Sequence, residues 1–244
     1  MSKIVPRETI EKMFLDFLLK NGALKIASSS KNLFMLKSGR LSPYFVNIGT
    51  LTDGDSLSKM KWAFSNFIAR LLDEGKLEDF DFIFGSAYKG INLAVLACEG
   101  LSELYGINTR YLYDRKEEKN YGDVLADRII VGSDHFKEGQ KILLIDDVIT
   151  TGITKIEALT KLKILGEHKI VGLLLAVDRQ EKMGVESKTD EKSPIEFIQH
   201  EFNFPVFSVL NSKKIFNIIK DHLSEEVRCY WINYYEKYGV TKIY

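Results

Sequence analysis

Apolar residues recur along this chain with two different periods, and the change between them divides it. Over 9–21, Ile10, Met13, Phe14, Phe17 and Leu18 share one helical face, and Gly22 closes the helix. The stretch "LFMLKSGRLSPYFVNIG" (33–49) reads as a hairpin: an apolar run, a Ser-Gly turn, then a second run after Pro43. A second helix is predicted over 57–72, with Trp62, Phe64, Phe67 and Ile68 as its apolar residues. From residue 80 onward, strand and helix alternate. "FDFIFG" (80–85) is a short strand, 89–106 a helix, and "NTRYLYDR" (108–115) a strand. "KILLID" (141–146) and "KIVGLLLAVDR" (169–179) are continuous apolar runs, the mark of buried strands, and 153–165 reads as a helix between them. Residues 116–128 are highly charged and carry neither period, so they read as a loop. The polar segment 180–193 is expected to be mobile. A helix (194–201), a strand (205–210) and two helices within 213–238 follow.

This strand–helix rhythm predicts an α/β fold with a mostly parallel central sheet flanked by helices. No internal repeat or break demands a second domain. Residues 1–244 are read as one domain, with 1–50 forming a small N-terminal subdomain on the main sheet.

Composition narrows the functional classes. Lys+Arg and Asp+Glu both number 34, so the formal net charge is zero. A neutral chain exerts no global pull on nucleic acid or anionic membrane, so neither is an expected partner. Cys98 and Cys229 are the only cysteines, too few for a disulfide framework, and a reducing compartment fits. The start lacks a signal-peptide pattern, and no stretch approaches the ~20 apolar residues of a membrane span. A cytoplasmic location is therefore expected.

The densest chemistry lies in "KILLIDDVITTGITKIEAL" (141–159), where a buried-looking strand ends in two adjacent acids. Ligands of an open parallel sheet bind outside the carboxyl ends of its strands. Asp146 and Asp147 would repel one another if buried without partners, but they suit a polyhydroxy ligand or a hydrated Mg²⁺. Thr150, Thr151, Gly152 and Thr154 offer hydroxyls and backbone N–H groups before a helix start, an arrangement that favours phosphate. A lone D-D-x-x-T fits a capped helix and an ordinary turn equally well. The whole string of apolar run, D-D, two apolar residues, T-T-G-x-T and helix is far more specific.

"ILLIDDVITTGIT" resembles the phosphoribosyl pyrophosphate (PRPP) signature of the type I phosphoribosyltransferases. The resemblance implies that Asp146 and Asp147 hold the ribose hydroxyls. It implies that Val148, Ile149, Thr150, Thr151, Gly152, Ile153 and Thr154 form the 5′-phosphate loop. This motif identifies the donor only.

Other segments are similar to the orotate phosphoribosyltransferases within that family, in matching order over residues 10–222. "LKSGRLSPYFVNIG" resembles their N-terminal hood, which maps Lys37 to donor and orotate, and Phe45 and Val46 to an aromatic pair whose second ring is absent here. "GSAYKG" (85–90) resembles the pyrophosphate loop, with Tyr88 and Lys89 matching and Ser86 where the family usually has proline. "RKEEKNYGD" (115–123) resembles a mobile catalytic loop spanning 115–130. Arg115, Lys116 and Lys119 match it, while Asn120 and Tyr121 replace an acid and a histidine. Arg179, in "AVDRQE", matches an arginine that contacts orotate, and Thr150 is implied on the orotate side as well.

Transfer of a phosphoribosyl group from PRPP to orotate is the implied reaction, with Lys116, Lys119, Asp146 and Asp147 as catalytic residues. Mg²⁺ is the implied cofactor, with no direct protein ligand assigned. The implied working unit is a homodimer that shares the catalytic loop between subunits. Two alternatives stand beside this reading: a purine phosphoribosyltransferase of the same fold, and a non-catalytic PRPP-sensing regulator. Against the first stand the hood string and Arg179. Against the second stands the retention of Lys89, Lys116 and Lys119.

Overall fold

The computed structural model describes residues 4–116, 129–149 and 153–244, the side chains of 153–155 excepted. The chain opens with α1 (Arg7–Lys20) and four short strands, β1 (Leu24–Ile26), β2 (Phe34–Met35), β3 (Leu41–Ser42) and β4 (Tyr44–Val46). Next come α2 (Gly54–Asp73), β5 (Phe82–Gly85), α3 (Lys89–Tyr105), β6 (Arg110–Asp114), β7 (Ile130–Val131) and β8 (Lys141–Val148). They are followed by α4 (Ile153–Leu162), β9 (Lys169–Asp178), β10 (Gly184–Val185), β11 (Lys188–Thr189) and α5 (Pro194–Phe202). The last elements are β12 (Val206–Asn211), α6 (Ser212–Ile219) and α7 (Glu225–Tyr238).

Six strands form the central sheet in the order β12-β9-β8-β5-β6-β7. All neighbours are parallel except β7, which closes one edge antiparallel to β6. The expected α/β architecture is therefore present. β7 escaped the sequence reading because two residues carry no period.

The strands are continuous apolar runs because both faces are covered. Successive side chains alternate between two cores. Ile83, Leu143, Ile145, Leu174 and Ala176 point into one, with residues of α1, α2, α3, α6 and α7. Phe82, Phe84, Ile142, Leu144, Leu173 and Leu175 point into the other, beneath α4 and α5. Since the central strands run parallel, their carboxyl ends gather Gly85, Asp114, Asp146, Asp147 and Asp178 at one edge of the sheet.

The N-terminal strands differ from the single hairpin expected over 33–49. β2 pairs with β3 across the Ser38–Gly39 turn, but the run after Pro43 leaves that hairpin and pairs with β1 instead. The C-terminal helix explains the switch. Tyr44, on β4, is fully buried and stacks on Trp231 of α7 at 4.8 Å between ring centroids. Its hydroxyl lies 2.9 Å from that of Tyr235. Packing with a distant helix overrides the local turn signal. The segment expected to be mobile over 180–193 also has structure, as β10 and β11 pair antiparallel. The buried Arg40 donates to the carbonyl oxygens of Lys182, Met183 and Gly184, tying this segment to the N-terminal strands. Among the described residues, no helix is long and apolar enough to cross a membrane.

The turn from β5 into α3 folds back tightly on itself. A Cβ on Gly85 would sit 2.1 Å from the carbonyl oxygen of Gly90, and one on Gly90 would sit 3.0 Å from that of Ile145. These contacts are with backbone, so a methyl group cannot be relieved by a side-chain rotation. Gly85→Ala is expected to destabilise the protein by about 3 kcal/mol in urea denaturation. Gly54→Ala, where nothing lies within 4 Å of an added Cβ, is the control; it should change stability by no more than about 0.5 kcal/mol.

Candidate active site

Asp146 and Asp147 end β8 as it emerges from the sheet, and both are buried. Two adjacent carboxylates at low exposure need donors. The N–H of Asp147 donates to Oδ1 of Asp146 at 2.8 Å, and the N–H of Val148 to Oδ1 of Asp147 at 2.8 Å. Further partners come from the turn after β5. Ser86 Oγ donates to Oδ2 of Asp146 at 3.0 Å, and Lys89 Nζ to Oδ2 of Asp147 at 3.1 Å. Lys89 opens α3, so the positive end of that helix adds to the ammonium's field at Asp147.

The same turn has a third anchor. The N–H of Ala87 donates to Oδ1 of Asp114, at the end of β6, at 2.7 Å. Tyr88 projects outward, 69% exposed, and Lys116 Nζ lies 5.2 Å from the centroid of its ring. A Cβ on Gly49 would sit 3.3 Å from Lys89 Cε, so the end of the N-terminal strand region meets the turn at Lys89.

A second charged centre lies where β9 ends under the N-terminal strands. The buried Arg179 donates from Nε and a terminal nitrogen to Glu181 Oε1, at 2.9 and 2.6 Å. That terminal nitrogen also donates to Ser42 Oγ at 2.9 Å, and the guanidinium lies 4.3 Å from the centroid of the Tyr44 ring. Tyr235 donates to the Arg179 carbonyl oxygen at 2.6 Å. The other oxygen of Glu181 faces Arg40 at 3.4 Å. Two guanidiniums thus share the Glu181 carboxylate. Burial works against the charge on Arg179, but its neighbours, Tyr44 and Glu181 foremost, hold its pKa above the ordinary value. Burial pushes the hydroxyls of Tyr44 and Tyr235 far above the usual tyrosine range. It also pushes Asp178 up to about 6, against the N–H of Gln180 that donates to it.

No family model matches the chain. Curated relatives and solved structures do. The orotate phosphoribosyltransferase of Bifidobacterium adolescentis is 35% identical over 240 residues, covering 95% of this chain and 98% of the relative. That of the yeast Kluyveromyces lactis is 36% identical over 237 residues, covering 96% and 97%. This chain belongs to the orotate phosphoribosyltransferase family. The crystal structure of the Francisella tularensis orotate phosphoribosyltransferase superposes with a TM-score of 0.76 at 36% identity, covering 93% of this chain and 99% of that one.

Within this family frame, the structure brings Asp146, Asp147, Tyr88, Lys89, Arg115 and Lys116 to the carboxyl edge of the sheet. Lys119, Tyr121, Thr150, Thr151 and Gly152 lie outside the described residues, while Ile153 and Thr154 open α4. Val148 is half-buried at the strand end, and the Ile149 side chain belongs to the core beneath α4. Lys37 is exposed on the β2–β3 turn. Phe45 is half-buried and stacks on Phe34 at 5.9 Å, while Val46 is half-buried against the core. Arg179 sits apart from the acids in its contacts, which run to Ser42, Tyr44 and Glu181.

Sequence reasoning missed four polar residues of this region. Ser86 was visible as a departure from the family's proline, and the structure gives that departure a use: its hydroxyl binds Asp146, which proline could not do. Arg40 and Asp114 carried no signal, because their partners lie far away in sequence, and Glu181 was passed over although Arg179 is only two residues from it.

Among the described residues, no group of three or more His, Cys, Asp and Glu side chains could hold a metal ion. Mg²⁺ needs no such cage, since it is commonly held by one or two carboxylates together with phosphate oxygens and water. The paired oxygens of Asp146 and Asp147 fit an ion that arrives with a diphosphate.

Proposed function

We propose that this chain transfers the 5-phosphoribosyl group of PRPP to orotate, yielding orotidine 5′-monophosphate and pyrophosphate in the synthesis of UMP. One observation carries the reaction: likeness over nearly the full length, at 35% and 36% identity, to orotate phosphoribosyltransferases. A solved structure of this family from Mycobacterium tuberculosis is described as a complex with PRPP.

The side chains take roles that suit this chemistry. Both reactants are anionic, so the main task is to hold them together and neutralise the leaving charge. Asp146 and Asp147 grip the ribose hydroxyls and favour positive character developing at C1′. Val148 through Thr154 hold the 5′-phosphate as a remote handle, with α4 beginning at Ile153. Lys37, Lys89, Arg115, Lys116 and Lys119 face the pyrophosphate, with Tyr88 and Tyr121 beside them. Mg²⁺, when bound, would supply charge neutralisation at the diphosphate, and Asp146 and Asp147 are the carboxylates that would help hold it, with no direct protein ligand assigned. Orotate lies against Phe45 and Val46, near Lys37 and Thr150, with its carboxylate directed to Arg179. The protein works as a single phosphoribosyltransferase domain in the cytoplasm, with residues 1–50 as a hood. In this reading it is a homodimer in which residues 115–130 of each subunit serve the neighbouring site.

Loss of orotate ultraviolet absorbance, with PRPP and Mg²⁺ present, tests the acceptor. Turnover is expected with orotate and not with adenine, guanine, hypoxanthine or uracil; turnover of a purine alone would sink the assignment. Mixing Lys119→Ala subunits with Asp147→Asn subunits tests loop sharing. Part of the activity is expected to return in the mixed dimer, and a mixture as inactive as both parents would contradict shared sites.

A further inference from the structure

Asp114 ends β6 buried, at 6% exposure, and both of its oxygens are used. Oδ1 accepts from the N–H of Ala87 at 2.7 Å, and Oδ2 accepts from Lys161 Nζ at 2.6 Å. Lys161 belongs to α4, and its ammonium also donates to the carbonyl oxygen of Arg115 at 2.7 Å. One ion pair therefore joins three pieces of the site. These are the β5–α3 turn, the residue that begins the 115–130 segment, and the helix that follows 150–152. The N–H of Arg115 donates to the Ile129 carbonyl oxygen at 2.9 Å, closing the base of that segment from its other side.

The charges explain why two groups are present. Asp114 takes the Ala87 N–H and so sets the direction of the turn that carries Ser86, Tyr88 and Lys89. An unbalanced carboxylate in that place would repel a diphosphate approaching the turn. Lys161 supplies the balancing charge. We infer that Asp114 and Lys161 are a positioning pair for PRPP: the acid orients the pyrophosphate turn, and the lysine prevents that acid from repelling the bound anion. This inference rests on the reading of the site as a PRPP site.

Calorimetric titration of PRPP with Mg²⁺ into the full chain tests it, with melting curves recorded on every variant. Lys161→Met should weaken binding by about ten-fold, the effect of one uncompensated charge near a polyanion. The double variant Asp114→Asn/Lys161→Met carries neither charge and keeps an acceptor for the Ala87 N–H, so it should regain most of that affinity. Lys161→Arg retains the charge and should bind within about three-fold of the parent. KM for PRPP should rise in Lys161→Met more than kcat falls. A merely structural pair would lower the melting temperature without this charge-dependent recovery. Unchanged binding in Lys161→Met, or a double variant that binds as weakly as Lys161→Met alone, overturns the inference. If Lys161→Met does not fold, a large loss of affinity in Lys161→Arg or in the double variant overturns it. Failure of the parent to bind PRPP would remove the donor reading, and the inference with it.

Discussion

The β5–α3 turn is held by three carboxylates, and the candidate site is built around that restraint. Ser86 reaches Asp146, the Ala87 N–H reaches Asp114, and Lys89 reaches Asp147. Gly85 lets the turn fold back on the Gly90 backbone at a distance no side chain permits, and Gly90 lets it lie close to the Ile145 carbonyl of β8. The acids need partners because they emerge from a sheet whose two faces are sealed by apolar cores. The turn needs the acids because it carries the exposed Tyr88 and Lys89 out of that sheet. Lys89 is then a counter-ion with a second use. Against Asp147 it balances a buried charge, and a diphosphate arriving with ribose hydroxyls for the acids would offer it a stronger partner.

Much of this was legible from the chain because it depends on local patterns. Unbroken apolar runs at 141–146 and 169–179 mark strands covered on both faces, and those strands place Asp146, Asp147 and Arg179 at one edge. The strand-to-helix string around the Asp-Asp pair marks a site for phosphate and a polyhydroxy ligand by its spacing, and its resemblance to the PRPP signature points to the donor. Contacts made across great sequence distance could not be read. Pro43 suggested a hairpin arm, yet β4 follows Trp231 and Tyr235 of the last helix instead. The polar composition of 180–193 suggested mobility, yet Arg40 gathers three of its carbonyl groups. Lys161 resembles any solvent-facing lysine of an amphipathic helix until its ammonium is found between Asp114 and Arg115.

A second network gives the N-terminal strands their fixed position over the sheet. Arg40 and Arg179 share Glu181, and Tyr44 is clasped between Trp231, Tyr235 and the Arg179 guanidinium. Buried ion pairs gain little net stability over apolar packing, but removing one partner costs about 3–5 kcal/mol. Such a cluster ties the N-terminal strands to the sheet, and it holds two guanidiniums in a place that water scarcely reaches. The C-terminal helix, which carries no family motif, supplies Trp231, Tyr235 and Tyr238 around it.

In the proposed function, the Lys89–Asp147 pair holds the site until PRPP separates it. A crystal structure of the chain with PRPP and Mg²⁺ tests this most directly. Ribose hydroxyls should lie within hydrogen-bond distance of Asp146 and Asp147, with the Lys89 ammonium moved from Asp147 to a pyrophosphate oxygen. A complex in which Lys89 still holds Asp147 at its present 3.1 Å, with the ribose bound elsewhere, would contradict the account.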